Sequence, residues 1–319
     1  MNLLKTTALA AIVAGTFALA GTALAQDKSY VIGVSVPTAD HGWTGGVDFF
    51  AQQAVDRLSK AYPNLSFVLA TAPDSTKQAA DLEDMVTTRN IDGLVILPGD
   101  PDAMTASIKK VKDAGKWVTV VDRALSQPGI EDLYVAGDNP GLGTTTANYF
   151  KSALPNGGNI VVLRGAPIPI DAQRVDAFMA GIEGTNIKVL DSQFANWNRD
   201  DGYKIMQDFL TKYPKIDAVW AQDDDTLVGV LKALKEAGRE NEMWAVGGAG
   251  MNQIVKMVAA GSTQVPVDVS YNPNMVATAI DLTALHFAAN AQVDGKMIIN
   301  STLITKDNAA QFDYPNTPF

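Results

Sequence analysis

A chain of 319 residues with no cysteine can hold neither a disulfide nor a thiolate metal site, and its two histidines, His41 and His286, stand too far apart to suggest a histidine metal centre or catalytic dyad. The formal charge of -10, one unit more negative once a leader containing Lys5 is removed, argues against nucleic acid and anionic membrane as partners. Stability must come from a hydrophobic core, which roughly 290 mature residues can build as one large domain or, more comfortably, two lobes.

Residues 1–25 combine Lys5, an apolar run from Ala8 to Ala20 and small residues at Ala23-Leu-Ala25 before Gln26. This is the pattern of a secretory signal peptide cleaved after Ala25, and the run is too short and too rich in glycine and threonine for a membrane anchor. The mature chain is expected to be exported and soluble. Tyr30 to Val36 then predicts a strand, Pro37 to Gly42 a polar turn, and Trp43 to Ala61 a helix, with Val47, Phe50, Ala51, Ala54 and Leu58 on one face. The alternation continues with a strand at Leu65 to Ala70, a helix at Thr76 to Arg89 capped by Ser75 or Asp74, and a strand at Gly93 to Leu97. A helix at Asp102 to Ala114 and strands at Trp117 to Val121 and Tyr134 to Ala136 close the series before Gly137-Asp-Asn-Pro140.

A second series follows. Strands are expected at Asn159 to Leu163, Ile187 to Leu190, Asp217 to Ala221, Trp244 to Val246 and Thr263 to Val269, with helices at Ala172 to Ile182, Asp201 to Lys212, Thr226 to Ala237 and Met251 to Ala260. Two successive βα series predict an α/β protein of two similar parallel-sheet lobes with helices on both faces. The helix Met275 to Ala289 and the strand Ile298 to Ile304 are too little for a third domain and must complete the earlier lobes. The expected division is 26–137 with 272–300, and 138–271 with 301–319. The chain would then cross between lobes near Gly137 to Asn139, Tyr271 to Asn274 and Asn300 to Ser301, making a hinge.

In open α/β sheets ligands bind at the carboxyl ends of the strands. Asp122-Arg123 ends a buried strand and pairs an acceptor with a donor, suited to gripping a hydroxylated molecule. The loop Thr38 to Trp43 adds His41 as a hydrogen-bonding group and Trp43 as a flat ring that a sugar or polyol can face with its C–H groups. In the second series Arg164 to Asp171 leads into a helix holding Arg174, Phe194 to Trp197 brings a second aromatic, and Gln222 is followed by Asp223, Asp224 and Asp225. The last two read as helix-capping acids. They lack the spacing of a calcium loop, Gly247-Gly-Ala-Gly250 lacks the dinucleotide spacing, and no nucleophile–base pair is visible. No cofactor and no catalytic group are expected.

The signal peptide, the strand Val31 to Val36, the loop ending in Trp43, Thr-Val-Val-Asp122-Arg123, Gly-Asp138-Asn139, Ala-Gln222-Asp-Asp and Val-Gly247-Gly-Ala-Gly250 together resemble the periplasmic sugar-binding proteins of the ribose-binding type. The resemblance covers nearly the whole mature chain. It implies a type I periplasmic binding fold: two Rossmann-like doubly wound lobes, a three-crossing hinge, one ligand in the cleft and delivery to the membrane permease of an ABC transporter. It places ligand contacts at His41, Trp43, Asp122, Arg123, Trp197, Asp223 and near Tyr271, with Asp171 and Arg174 as candidates where the Pro-Ile-Pro insertion shifts the loop. The chain departs from the ribose-type pattern at Ala249, which replaces a common ligand carboxylate, and at Asp223, where asparagine is frequent. A different hydroxyl pattern is therefore expected, in a pentose or a four- to five-carbon polyol. The alternatives are an amino sugar as ligand, a periplasmic sensor presenting its ligand to a chemoreceptor or kinase, and a hydrolase using Asp122 with Asp223. A monomer is expected, since no long apolar surface run suggests an obligate interface.

Overall fold

The computed structural model describes residues 28–314, 317 and 319, so the signal peptide expected at 1–25 lies outside the described residues. Strand β1 (Tyr30–Pro37) is buried from Ile32 through Val36, because an all-parallel sheet is covered on both faces and needs a continuous apolar run. It pairs with β2 (Leu65–Ala72) on one side and β3 (Gly93–Ile96) on the other, both in parallel. Strands β4 (Trp117–Val121) and β5 (Leu133–Gly137) extend the sheet beyond β3. Because the chain begins in the middle and winds outward both ways, the loops after β1 and β3 diverge and leave a crevice at the strand tips.

The helices that make these crossovers are α1 (Gly42–Ala61), α2 (Ser75–Thr87) and α3 (Pro101–Asp113). The cap of α2 is Asp74, whose carboxylate accepts from Lys77 N at 2.8 Å. The structure adds a helix that the strand series passes over, α4 (Asn139–Ala153). The Gly-Asp-Asn-Pro stretch is its start, not a terminating turn: Asp138 caps it by accepting from Gly141 N at 2.8 Å, and Pro140 sits in its first turn, where a missing N–H costs nothing.

The second sheet repeats the plan with β6 (Gly158–Arg164), α5 (Pro169–Ile182), β7 (Ile187–Phe194), α6 (Arg199–Lys212), β8 (Ala218–Trp220), α7 (Asp224–Glu236), β9 (Trp244–Val246) and α8 (Asn252–Ala259). Its order is β7-β6-β8-β9, again starting from an inner strand, and every pair is parallel. The strand expected from Thr263 shrinks to β10 (Asp268–Val269), since Pro266 has no N–H to give to a ladder. After α9 (Met275–Ala289) packs against α1, β11 (Gly295–Ile299) joins the edge of the first sheet beside β5. The run expected to be one strand breaks at Asn300, and β12 (Leu303–Ile304) pairs antiparallel with β10. No helix among the described residues is long and apolar enough to cross a membrane.

Three chain segments run side by side between the sheets. Asp138 N donates to Ile299 O at 2.9 Å, Ser301 Oγ donates to Asp138 O at 3.0 Å, and Ser270 N donates to Thr302 O at 2.9 Å. Side chains on these segments therefore sit at the base of the space between the two sets of strand tips.

Candidate ligand cleft

That space is a cavity of about 330 Å³ counted with its open mouth. Eight of the nine residues singled out in the sequence line it, drawn from both sheets: His41 and Trp43 at the start of α1, Asp122 and Arg123 after β4, Arg174 on α5, Trp197 before α6, Asp223 before α7, and Tyr271 on a crossing segment. Ile170, Gly248 and Ala249 complete the lining.

Asp122 and Arg123 form only a long ion pair, Arg123 Nε lying 3.9 Å from Asp122 Oδ2, too far for a hydrogen bond. Asp122 has a left-handed backbone (φ 61°), and its buried carboxylate accepts a hydrogen bond from the Tyr271 hydroxyl through one oxygen. Burial, reinforced by the charge of Asp122, pushes the Tyr271 pKa well above its ordinary value, so the phenol remains a donor at neutral pH. Arg123 is held by loop carbonyls, its Nη1 donating to Gly99 O at 2.6 Å and Pro98 O at 3.2 Å. Its buried Nε has no hydrogen-bond partner among the described residues, an unsatisfied donor in a cleft wall.

The aromatic groups are fixed at their polar tips. Trp43 Nε1 donates to Tyr271 O at 2.8 Å, tying the first loop to the crossing. Trp197, itself left-handed at φ 54°, donates from Nε1 to Gln222 Oε1 at 3.1 Å. Arg174 lies over the Tyr271 ring with Cζ 4.3 Å from its centroid, and its Nε donates to Asn139 Oδ1 at 2.7 Å. Its terminal nitrogens have no hydrogen bond among the described residues.

Asp171 is the exception. Its carboxylate turns away from the cleft and accepts from Gly165 N at 2.9 Å, Gln222 Nε2 at 3.0 Å and Arg164 Nε at 3.0 Å. The reason is helical geometry: Ile170 and Arg174 are four apart and share the cleft face of α5, whereas Asp171 is rotated by one residue toward the strand tips. Its part is to hold Gln222, which in turn holds Trp197. Asp224 and Asp225 do lie in the first turn of α7, where acids answer the helix dipole, but neither is its cap. Asp223 caps α7, accepting from Asp225 N at 2.9 Å and Thr226 N at 3.2 Å. Asp224 points backward to accept from Gly248 N, Gly250 N and Met251 N at 2.7–3.0 Å, anchoring the turn that carries Ala249, and Asp225 reaches the other lobe.

The electrostatics centre on His41 and Asp223. Burial raises the Asp223 pKa to about 7, outweighing the opposing charge of His41. Burial alone would depress His41, but its hydrogen bond to Asp40, with the charges of Asp223 and Asp40, raises its pKa overall. His41 Nδ1 lies 2.5 Å from Asp40 Oδ1, which directs Nε2 away from that partner, and the Asp40 carboxyl falls to about 2. Near pH 7 Asp223 is therefore divided about evenly between its protonated and ionised forms, so it can donate as well as accept. No group of residues capable of holding a metal occurs among the described residues.

Ile170, Gly248 and Ala249 were not among the site residues read from the sequence. The signal for the last two was the Gly-Gly-Ala-Gly turn itself: Ala249 has φ 138°, and its backbone is clamped by Ala249 N donating to Val269 O at 2.8 Å and Tyr271 N donating to Ala249 O at 3.1 Å.

Among proteins of known role, the chain is 29% identical over 244 residues to the ribose import binding protein of Escherichia coli (strain K12), covering 76% of this chain and 79% of the relative. It is 27% identical over 313 residues to the D-apiose import binding protein of Paraburkholderia graminis, covering 96% of each. A solved solute-binding protein of an ABC transporter from Mycobacterium smegmatis with bound glycerol superposes with a TM-score of 0.80 at 28% identity, over 91% of this chain and 98% of that one. The model of the periplasmic binding protein domain matches residues 32–291, nearly the whole described chain. The winding of both sheets, the three neighbouring crossings and this match lead to one conclusion: the chain belongs to the periplasmic binding protein family, with the type I fold.

Proposed function

We propose that this chain is the exported solute-binding protein of an ABC importer and captures a small neutral sugar or polyol, a pentose or a four- to five-carbon polyol, by closing two lobes on it. The lobes are 26–137 with 272–300 and 138–271 with 301–319, moving about the three crossings. The observation that carries the reading is a single small cavity lined from both sheets by hydrogen-bonding side chains and by the indoles of Trp43 and Trp197.

In this reading Asp122, with one oxygen occupied by Tyr271, accepts a ligand hydroxyl through the other. Arg123 Nε and the free nitrogens of Arg174 donate, and Asp223 and His41 Nε2 complete the ring of partners. Two guanidinium groups against the Asp122 carboxylate and a half-protonated Asp223 leave the cleft no excess of negative charge for an ammonium group, which favours a neutral ligand over an amino sugar. Contacts to both lobes supply the differential affinity that drives closure, and the closed surface is what the membrane permease would read. The protein would act as a monomer in the periplasm, after cleavage behind Ala25.

The test is a thermal-shift screen of residues 26–319 against pentoses, tetritols, pentitols, hexoses and amino sugars. Ligand at about 100 times its Kd adds about 2.7 kcal/mol of stability. A rise in Tm with a small neutral polyol or pentose is expected. A response confined to amino sugars, or none at all, would overturn the assignment.

A further inference from the structure

The two lobes touch at a point that belongs neither to the cleft lining nor to the crossings. Gly42, the first residue of α1 in one lobe, donates its N–H to Asp225 Oδ2 on α7 of the other. The second oxygen of the same carboxylate accepts from Arg199 Nη2 at 2.6 Å, Arg199 being the first residue of α6. Asp225 is buried, 6% exposed, and the contact joins positions 183 residues apart. The chain has a glycine where the approach is made: a Cβ on Gly42 would stand 2.3 Å from Asp225 Oδ2.

The first N–H groups of a helix have no partner within the helix and carry its positive end. The α1 N-terminus lies where the first cleft loop enters the helix, next to His41 and Trp43. An acid supplied by the opposite lobe satisfies that donor only when the lobes are together. When they part, Asp225 keeps Arg199 while Gly42 N–H must turn to water. The interaction therefore differs between the open and closed forms, as any group that biases their populations must.

We infer that Asp225, aligned by Arg199, is an interlobe latch that favours the closed form by capping α1 across the mouth of the cleft. It acts through closure and touches no ligand. The inference deepens the capture reading, since apparent affinity is the intrinsic affinity scaled by the fraction of closed protein. Loss of a charge-assisted hydrogen bond of this kind weakens apparent binding on the order of tenfold.

The decisive measurement needs no ligand. Small-angle X-ray scattering of the mature protein alone compares the wild type with Asp225→Ala, Arg199→Ala and Gly42→Ala, the last displacing the Asp225 carboxylate from the helix end while keeping the acid. Asp225→Ala and Gly42→Ala are expected to enlarge the radius of gyration, Arg199→Ala less so, with each variant's thermal unfolding confirming that it is folded. With xylitol, a five-carbon polyol, as probe, tryptophan-fluorescence stopped flow should show dissociation from Asp225→Ala about tenfold faster than from wild type at an association rate changed by less. A radius of gyration equal in all four proteins overturns the latch, as does a wild type already as expanded as Asp225→Ala. Failure of every sugar in the thermal-shift screen would instead strike the capture reading and leave the scattering result standing.

Discussion

Replacing Asp223 by asparagine should make the protein more stable above neutrality while weakening its hold on ligand. The carboxyl is buried, and its folded pKa of about 7 lies well above the ordinary 3.8. Between those values the folded protein keeps a proton that the unfolded chain has released, so stability falls as pH rises through the window and stays low above it. Three units of pKa correspond to about 4 kcal/mol, and relaxation around the charge brings the expected gain for Asp223→Asn at pH 8 to roughly 2–4 kcal/mol. At pH 4 both forms are neutral in the fold and the gain should vanish. The helix cap does not confound the comparison, because Asn Oδ1 can still accept from Asp225 N and Thr226 N. Urea unfolding at pH 4, 6 and 8 measures the effect directly. An equal shift at all three would mean that ionisation is not its cause. A loss at pH 8 would mean that pairing with His41 outweighs burial, against the sign argued here.

Tyr271→Phe should leave the fold intact but strip Asp122 of the hydroxyl it accepts from, lowering ligand affinity about tenfold or more in titration calorimetry, the measure of a hydrogen bond to a charged group. An unchanged affinity would remove Tyr271 as the group that aims Asp122. In Gly165→Ala the added Cβ would stand 2.0 Å from Trp197 Cε2, so the indole must swing out of the cleft wall. Binding should fall at least tenfold with a shift in tryptophan emission, and normal binding would show that Trp197 is not a wall of the site. Asp171→Ala should cost about 3–5 kcal/mol in urea unfolding, because it leaves Arg164, Gly165 N and Gln222 Nε2 without their shared acceptor. Lost affinity with unchanged stability would instead place Asp171 on the ligand.

The strand series was legible because strands buried on both faces must be apolar throughout, and runs such as Trp117–Val121 admit no amphipathic reading. The helix α4 was hidden by its own start signals: Asp138 and Pro140 punctuate a helix beginning and a turn with equal force, and only Leu142, Ala147 and Phe150, all buried, separate the two. The cleft residues at strand tips could be named because their position follows from winding alone. Direction could not. Asp223, Asp224 and Asp225 are consecutive and chemically alike, yet they cap a helix, anchor a turn and cross to the other lobe, since successive side chains at a helix start point a third of a turn apart. Asp171 and Arg174 differ in the same way, and there the periodicity of α5 held the answer.

Backbone conformation was the least legible feature, and it says most about the site. Away from the cleft, the non-glycine residues with left-handed φ are Asn90 and Asn290, the residue type that tolerates it best. At the cleft, Asp122, Trp197, Gln222 and Ala249 adopt positive φ as well, beside Asn196. Asp, like Asn, tolerates that conformation, but a Trp, a Gln and an Ala are not chosen for it, so each of these is present for its side chain or its size, at a cost of about 1 kcal/mol or more apiece. The Asp171–Gln222–Trp197 chain and the two backbone hydrogen bonds of Ala249 are what hold these positions against the strain. Ala249 tests the idea most cleanly, because removing its methyl group takes away strain and no hydrogen bond. Ala249→Gly should raise stability in urea by about 1 kcal/mol, even after the added freedom of the unfolded chain is counted. It should also open space in the corner where ribose-type proteins carry an acid, and so admit ligands one hydroxymethyl group larger. A loss of stability would show that the methyl packs into the wall more favourably than its backbone is strained, and the corner would then be shaped by packing.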